Sequence, residues 1–285
     1  MTGHTIVAGA GYTGGRVLAA LGPERASGFR RSPAPGAGTV RIDLDREVVS
    51  PPPLPADYAL LYTIPPARDG DADRRLARLL ALLDPLPARV VYLSTSGVYG
   101  DCGGELVDEG REPRPATGRA RRRLAAERQL QAWAAGREVG LVVLRVPGIY
   151  GPGRLGVDRI REGAAIIREA DSHPGNRIHV DDLVSGCLAA LSPARPAGVY
   201  NVADGDHRSS TWFTNTVARL AALPAPPEVT REEARRTFPQ GRLSFLEESR
   251  RLDTRKMREV LGVTPRYANA EDGIRASLDA DRLLR

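Results

Sequence analysis

A strand-like run, His4-Thr5-Ile6-Val7-Ala8, leads without a spacer into Gly9-Ala10-Gly11-Tyr12-Thr13-Gly14, and a helical pattern begins near Thr13. Three glycines at that spacing between a strand and a helix have separate physical jobs. One permits the tight turn, one lets backbone amides come close to an anion, and one lets the helix lie against the strand. The helix start then offers unpaired N–H groups and a partial positive charge. The turn predicts a seat for the pyrophosphate of a dinucleotide on Gly9, Gly11, Tyr12, Thr13 and Gly14.

The first 150 residues alternate short apolar runs with amphipathic helical patterns, the signature of βαβ units on a parallel sheet. Candidate strands cover 4–8, 28–30, 40–44, 58–63, 89–94 and 141–146. Several are almost wholly apolar, as strands covered on both faces must be. A helix over 72–83 aligns Leu76, Leu79, Leu80 and Leu83; one over 118–135 aligns Ala126, Leu130, Trp133 and Ala134. Proline-rich stretches at 50–55 and 223–227 read as surface loops. A run over 198–202 returns to the sheet edge. The expected class is α/β, a doubly wound parallel sheet of Rossmann type with a small, mainly helical C-terminal lobe. Residues 1–150 and 176–203 form the core; residues 151–175 and 204–285 cover the substrate.

Among 285 residues, 41 are basic and the net charge is +6, but Lys256 is the only lysine and the arginines are spread through every segment. Nucleic-acid binding calls for a clustered basic face, commonly with stacking aromatics, and neither is present. Cys102 and Cys187 match neither a disulfide framework nor a zinc site. No apolar stretch reaches the roughly 18–20 residues of a membrane span. The sequence from Met1 runs straight into a strand pattern without the basic n-region of a signal peptide. A small molecule is the expected partner, anionic groups suit the basic balance, a homodimer is compatible with the fold, and cytoplasm is the expected compartment.

NAD binders place an acid after the second strand to bond the ribose 2′-hydroxyl. Here that place reads Arg30-Arg31-Ser32. A guanidinium fork and a hydroxyl favour a 2′-phosphate, which an adjacent carboxylate would repel. The expectation is NADP(H) in preference, with NAD(H) left open.

Further motifs follow in order: Ser94-Thr95-Ser96-Gly97-Val98-Tyr99-Gly100, then Leu144-Arg145-Val146-Pro147-Gly148-Ile149-Tyr150-Gly151-Pro152-Gly153-Arg154. Ile178-His179-Val180-Asp181-Asp182-Leu183, Val199-Tyr200-Asn201-Val202 and Leu252-Asp253-Thr254-Arg255-Lys256-Met257 complete the series. Together they resemble an extended short-chain dehydrogenase/reductase of the NAD-dependent epimerase/dehydratase family, over essentially the whole chain. The resemblance implies a nucleotide-sugar-like substrate held between the Rossmann domain and the lobe. It also implies Asp43 and Leu44 beside the adenine, Thr63, Ile64 and Pro65 on the ribose and pyrophosphate side, and Pro147, Gly148 and Ile149 on the nicotinamide side. Thr95 matches the hydroxyl that bonds the substrate oxygen, with Ser96 beside it, and Arg154 suits a substrate phosphate or carboxylate.

Two departures mark an atypical branch. The family's glycine pattern is G-x-x-G-x-x-G, and its first position falls on Ala8. The family also uses a Tyr-x-x-x-Lys pair on the helix after the fifth strand, which a chain whose single lysine is Lys256 cannot form. At 100° per residue, Arg119 and Arg123 fall within about 20° of Leu130, at the centre of the apolar stripe. They are the expected occupants of the Tyr and Lys positions; a second register would use Thr117 and Arg121. Arg123 could donate to ribose hydroxyls, but Arg119 offers no acceptor and keeps its proton. Substitutes for the acid/base are Tyr99, Tyr150, His179 and Asp181, each with a structural alternative: packing for the tyrosines, and a helix start capped by Asp181 or Asp182 for the others. Two functions follow: an oxidoreductase or epimerase/dehydratase with a displaced acid/base, or a cofactor-binding sensor or assembly subunit without turnover.

Overall fold

The computed structural model describes residues 3–32, 38–46 and 53–283; positions 50–52 of the first proline-rich stretch lie outside them. Strand β1 (His4–Ala8) runs through the glycine turn into helix α1 (Tyr12–Leu21), then β2 (Ala26–Arg30) and β3 (Thr39–Arg41). The chain continues through β4 (Tyr58–Tyr62), α2 (Arg74–Ala81), β5 (Arg89–Thr95), β6 (Leu106–Val107), α3 (Gly118–Ala134), β7 (Gly140–Val146) and β8 (Gly148–Tyr150). After α4 (Val157–Arg161) and β9 (Ile166–Ile167) come β10 (Arg177–His179), α5 (Val180–Leu191), β11 (Gly198–Asn201), α6 (Ser210–Leu220) and β12 (Glu228–Val229). The C-terminal stretch holds α7 (Arg231–Thr237), α8 (Gln240–Leu246), β13 (Arg251–Leu252), α9 (Arg255–Glu259) and α10 (Ala270–Leu283).

Seven strands make one parallel sheet in the order β11-β7-β5-β4-β1-β2-β3. Alternate side chains of β4, β5 and β7 go to opposite faces. Leu61, Val91, Val142 and Leu144 meet Val17 of α1 and Leu183 and Cys187 of α5. Leu60, Tyr62, Val90 and Tyr92 meet Leu76, Leu79 and Leu80 of α2 and Ala126 and Leu130 of α3. Both faces are dry, so the sheet is doubly wound, as the apolar strand runs require. The order reverses at β1, and the crevice above the carboxyl end of that strand is where ligands of open α/β sheets sit. The glycine turn stands there.

β11 takes the sheet edge as its pattern predicts. β3 is shorter than expected, because Asp43 Oδ1 accepts from Asp45 N at 3.1 Å and closes a turn. The lobe also differs from the sequence division. The two-residue β13 pairs with β6, and Met257, Leu261 and Val263 are buried in the sheet's own core. Residues 251–263 therefore belong to the Rossmann body. The lobe proper is α4, α6, α7, α8 and α10 with the short β9–β12 pair.

Candidate functional site

The glycine turn is built for a close approach. Gly9 has φ +103°, and a Cβ there would lie 2.5 Å from Thr63 Oγ1; a Cβ on Gly14 would collide with the carbonyl of Gly9. Thr63 Oγ1 donates to Gly9 O at 2.6 Å, holding β4's end under the turn. Gly11 is different: a Cβ there would meet no atom within 4 Å. Gly11 caps α1 with no side-chain hydrogen bond, and no acid stands in the first turn. The first helical N–H groups thus keep their donors and their partial positive charge. An uncapped helix start, with room left by a missing side chain, fits a dinucleotide's pyrophosphate.

At the end of β2, Arg31 and Ser32 are exposed. Arg31 Nη1 lies 3.2 Å from Asp45 Oδ2, and Asp45 also takes two bonds from Arg75, at 2.6 and 2.9 Å. Those arginines hold the Asp45 carboxyl below its ordinary range. An acid does stand beside this corner, arriving from after β3 rather than β2. Leu44 is buried in the core, Ile64 packs against Gly9, and Pro65 O accepts from Arg75.

Beside the turn, a cleft of about 620 Å³ opens between the sheet and the lobe. Thr95, Ser96, Arg119, Arg123, Pro147, Gly148, Ile149, Tyr150 and Arg154 all line it. Thr95 begins the 3-10 turn Ser96–Tyr99 and its Oγ1 accepts from Gly97 N at 3.2 Å, leaving its hydroxyl proton to donate. Thr117 caps α3 and reaches the cleft rim, whereas Arg121 turns away to donate to Ala116 O. Arg123 Nη1 donates to Leu93 O at 2.8 Å and Tyr92 Oη at 3.3 Å. Arg119 lies 3.8 Å over the ring of Phe245 in α8.

The other candidates for proton transfer are committed elsewhere. Tyr99 does not line the cleft; it is buried and donates to Asn201 Oδ1 at 2.7 Å. The Tyr150 hydroxyl faces Gly273 of α10, buried and without a partner among the described residues, and burial drives its pKa far up. His179, not Asp181 or Asp182, caps α5: its Nδ1 accepts from Asp181 N at 3.2 Å. With that nitrogen an acceptor, Nε2 carries the proton toward Ser277 Oγ at 3.1 Å, and the ring is wedged between Tyr150 and Tyr267. Asp182 accepts from Arg266 N and Tyr267 N, and Asp181 is exposed.

Two cleft residues had no signal in the sequence. Glu248 is the one carboxylate among the described residues that line it; Oε2 takes Arg250 at 2.9 Å while Oε1 is buried without a partner. His173 faces it from the lobe, its pKa lowered by burial and by Arg231. Both sit on loops that only the tertiary fold brings here. Against Glu248 stand six arginines: Arg119, Arg123, Arg154, Arg177, Arg231 and Arg250. Four of them donate to backbone carbonyls. Among the described residues Arg119 and Arg154 make aromatic contacts and no side-chain hydrogen bond, and the charge of Glu248 acts on Arg119. Among the described residues no His/Cys/Asp/Glu group could hold a metal, and no helix is long and apolar enough to cross a membrane.

Behind Tyr150, Asp204 is buried and burial pushes its carboxyl up to about 8 against the pull of Arg177. The native state keeps a proton that the unfolded chain, near pKa 3.9, gives up. Stability from this group is therefore full below about pH 4 and is lost as pH rises through 8, by at most about 1.4 kcal/mol per pH unit. Asp204→Asn keeps the acceptor for Asp206 N and should flatten that slope. Thermal midpoints of both proteins between pH 5 and 8 check it; parallel curves would contradict it.

The sequence model of the NAD dependent epimerase/dehydratase family matches residues 74–203. A functionally unknown conserved protein from Silicibacter pomeroyi is 31% identical in a solved structure, with 98% of this chain and 100% of that one covered and a TM-score of 0.84. The chain belongs to the NAD-dependent epimerase/dehydratase family, with the extended short-chain dehydrogenase/reductase fold. MoeE5 in complex with UDP-glucose and NAD is 23% identical over 99% of this chain and 100% of that one, TM-score 0.75, a likeness of fold. UDP-glucose 4-epimerase of Mycolicibacterium smegmatis is 28% identical over 195 residues, 64% of this chain and 59% of that protein. The chain spans about half the length of the curated relatives it matches.

Proposed function

We propose that this chain is a nicotinamide-dinucleotide-dependent oxidoreductase of the epimerase/dehydratase kind, acting on an anionic, nucleotide-sugar-like small molecule with a displaced acid/base. The carrying observation is the uncapped, open glycine turn beside a cleft that sets six guanidinium groups against one carboxylate. A nicotinamide dinucleotide would supply hydride chemistry here. Gly9, Gly11, Tyr12, Thr13 and Gly14 would hold its diphosphate, Thr63, Ile64 and Pro65 the ribose side, Asp43 and Leu44 the adenine side, and Pro147, Gly148 and Ile149 the nicotinamide side. Thr95 and Ser96 bond the substrate oxygen. Arg119, free of hydrogen-bonded partners among the described residues, receives the substrate's anionic group. Arg123 fixes the neighbouring hydroxyls from its anchor on Leu93 O. Since a guanidinium cannot shuttle a proton, this reading puts proton exchange on Glu248 or His173.

The relatives with UDP-sugars in their names support the substrate class. The test is purified protein mixed with reduced or oxidised dinucleotide and a panel of nucleotide sugars and small anionic ketones, followed by nicotinamide absorbance and product analysis. Substrate-dependent turnover supports the reading. Binding of dinucleotide with no turnover across the panel supports the second, a cofactor-holding protein without catalysis, which Arg119 at the Tyr position favours.

We further propose NADP(H) as the preferred dinucleotide, with NAD(H) the alternative. In support, Arg30 ends β2 and Arg31 and Ser32 follow it, the chain position that would meet a 2′-phosphate. The Arg31–Asp45 pair is exposed, and surface pairs hold by about 0–1 kcal/mol, so Arg31 can leave Asp45, which stays on Arg75, and turn to a phosphate dianion. Arg31→Asp should weaken NADPH about tenfold and leave NADH nearly unchanged, the reverse charge facing a dianion in one case and a hydroxyl in the other. Calorimetry on both dinucleotides decides; equal losses would refute the preference.

A further inference from the structure

Tyr12, inside the glycine turn, presents its backbone N–H at the start of α1, and its side chain reaches across to the loop after β8. Its hydroxyl donates to Pro152 O at 2.9 Å. The guanidinium of Arg154 lies 3.8 Å from the ring centre and that of Arg16 lies 4.0 Å from it. Gly151 permits this approach, since a Cβ there would sit 2.6 Å from the Tyr12 hydroxyl. Arg16 also donates to Tyr12 O at 2.9 Å. The carboxylates that face Tyr12 are Asp181 and Asp281, and neither pairs with Arg16 or Arg154 among the described residues. Asp281 instead accepts from Gly153 N at 3.1 Å, tying the loop to α10.

Two cations thus bracket the one side chain of the turn that touches the substrate-facing loop; Arg154 is held by the aromatic face alone among the described residues, and Arg16 adds its bond to Tyr12 O. A ring holds a guanidinium loosely, and a diphosphate offers it charge-assisted hydrogen bonds. We propose that Arg154, with Arg16, clamps the diphosphate of the bound dinucleotide, so that Arg154 serves the cofactor rather than the substrate. The clamp rests on the dinucleotide reading given above. Through Gly153 and Asp281 it also links the cofactor to the last helix, so that loading the turn steadies the loop that roofs it.

ADP-ribose separates the possibilities, because it carries the diphosphate without the nicotinamide. Calorimetry on the full chain should show Arg154→Gln weakening ADP-ribose and NADPH by the same factor, about tenfold, with Arg154→Lys recovering part of it. Arg154 is exposed, so its thermal midpoint should stay at the wild-type value. Unchanged ADP-ribose affinity in Arg154→Gln, with the wild type binding, overturns the clamp alone and returns Arg154 to the substrate. A wild type that binds neither ADP-ribose nor any nicotinamide dinucleotide overturns both the clamp and the reading beneath it.

Discussion

Gly11→Ala should lose dinucleotide binding by at least about tenfold while the protein keeps its thermal midpoint. The two effects separate because of what surrounds this position. Gly11 has φ −90°, a value open to any residue, and its missing Cβ points into space with no atom within 4 Å. A methyl group there meets nothing in the protein, so the fold has no reason to weaken. It would occupy the volume through which a diphosphate comes into reach of the Tyr12, Thr13 and Gly14 amides. Those bonds combine ionic and hydrogen-bond character and lose strength steeply with distance. Gly14→Ala is the contrasting control. Its Cβ would run into the Gly9 carbonyl, so binding and stability should fall together. If Gly11→Ala bound NADPH and NADH as the wild type does, the anion seat would have to be sought elsewhere.

The sheet could be read from the chain because alternation and apolar runs report burial directly, and burial on both faces of β4, β5 and β7 left little polar noise. α3 was legible for the same reason: a 3.6-residue period fixes which side chains share a face, and Arg119 and Arg123 line the cleft while Arg121 does not. The division of the lobe was not legible. Two-residue strands such as β13 carry no period, and residues 251–263 are placed by a distant partner, β6. The same applies to Glu248 and Asp45, which reach their corners through loops. The cap at His179 was not legible either, because cap preferences favour Asp, whereas burial between two tyrosines keeps the imidazole neutral and able to accept. Side-chain direction at Tyr150 depended on α10, about 120 residues away in sequence, and no local pattern encodes it.

Glu127→Leu should destabilise the chain by about 3–5 kcal/mol, the cost of leaving a buried charge without its partner. Glu127 is 1% exposed on α3 and Arg145 is 5% exposed on β7. Their atoms meet at 2.8 Å and 3.3 Å, and Ser94 Oγ adds a bond to the same carboxylate. Arg145 also lies over the ring of Tyr99, whose hydroxyl leads to Asn201 and so to Val107 O and Asp253 O. The pair therefore joins α3, β5 and β7 beneath the cleft floor, which the buried Ser94 helps to line. Removing Glu127 strands Arg145 in a dry interior. At roughly 2–4 °C per kcal/mol for a domain of this order, the thermal midpoint should drop by about 10 °C. Adding Arg145→Met should recover most of the loss, because two apolar side chains leave no unpaired charge. A single variant as stable as the wild type, or a double variant no better than the single, would show that this charge pair is not what holds the helix to the strand. Dinucleotide affinity gives the second readout. It should survive in the double variant, since the glycine turn lies on the other side of β4 and shares no atom with the pair.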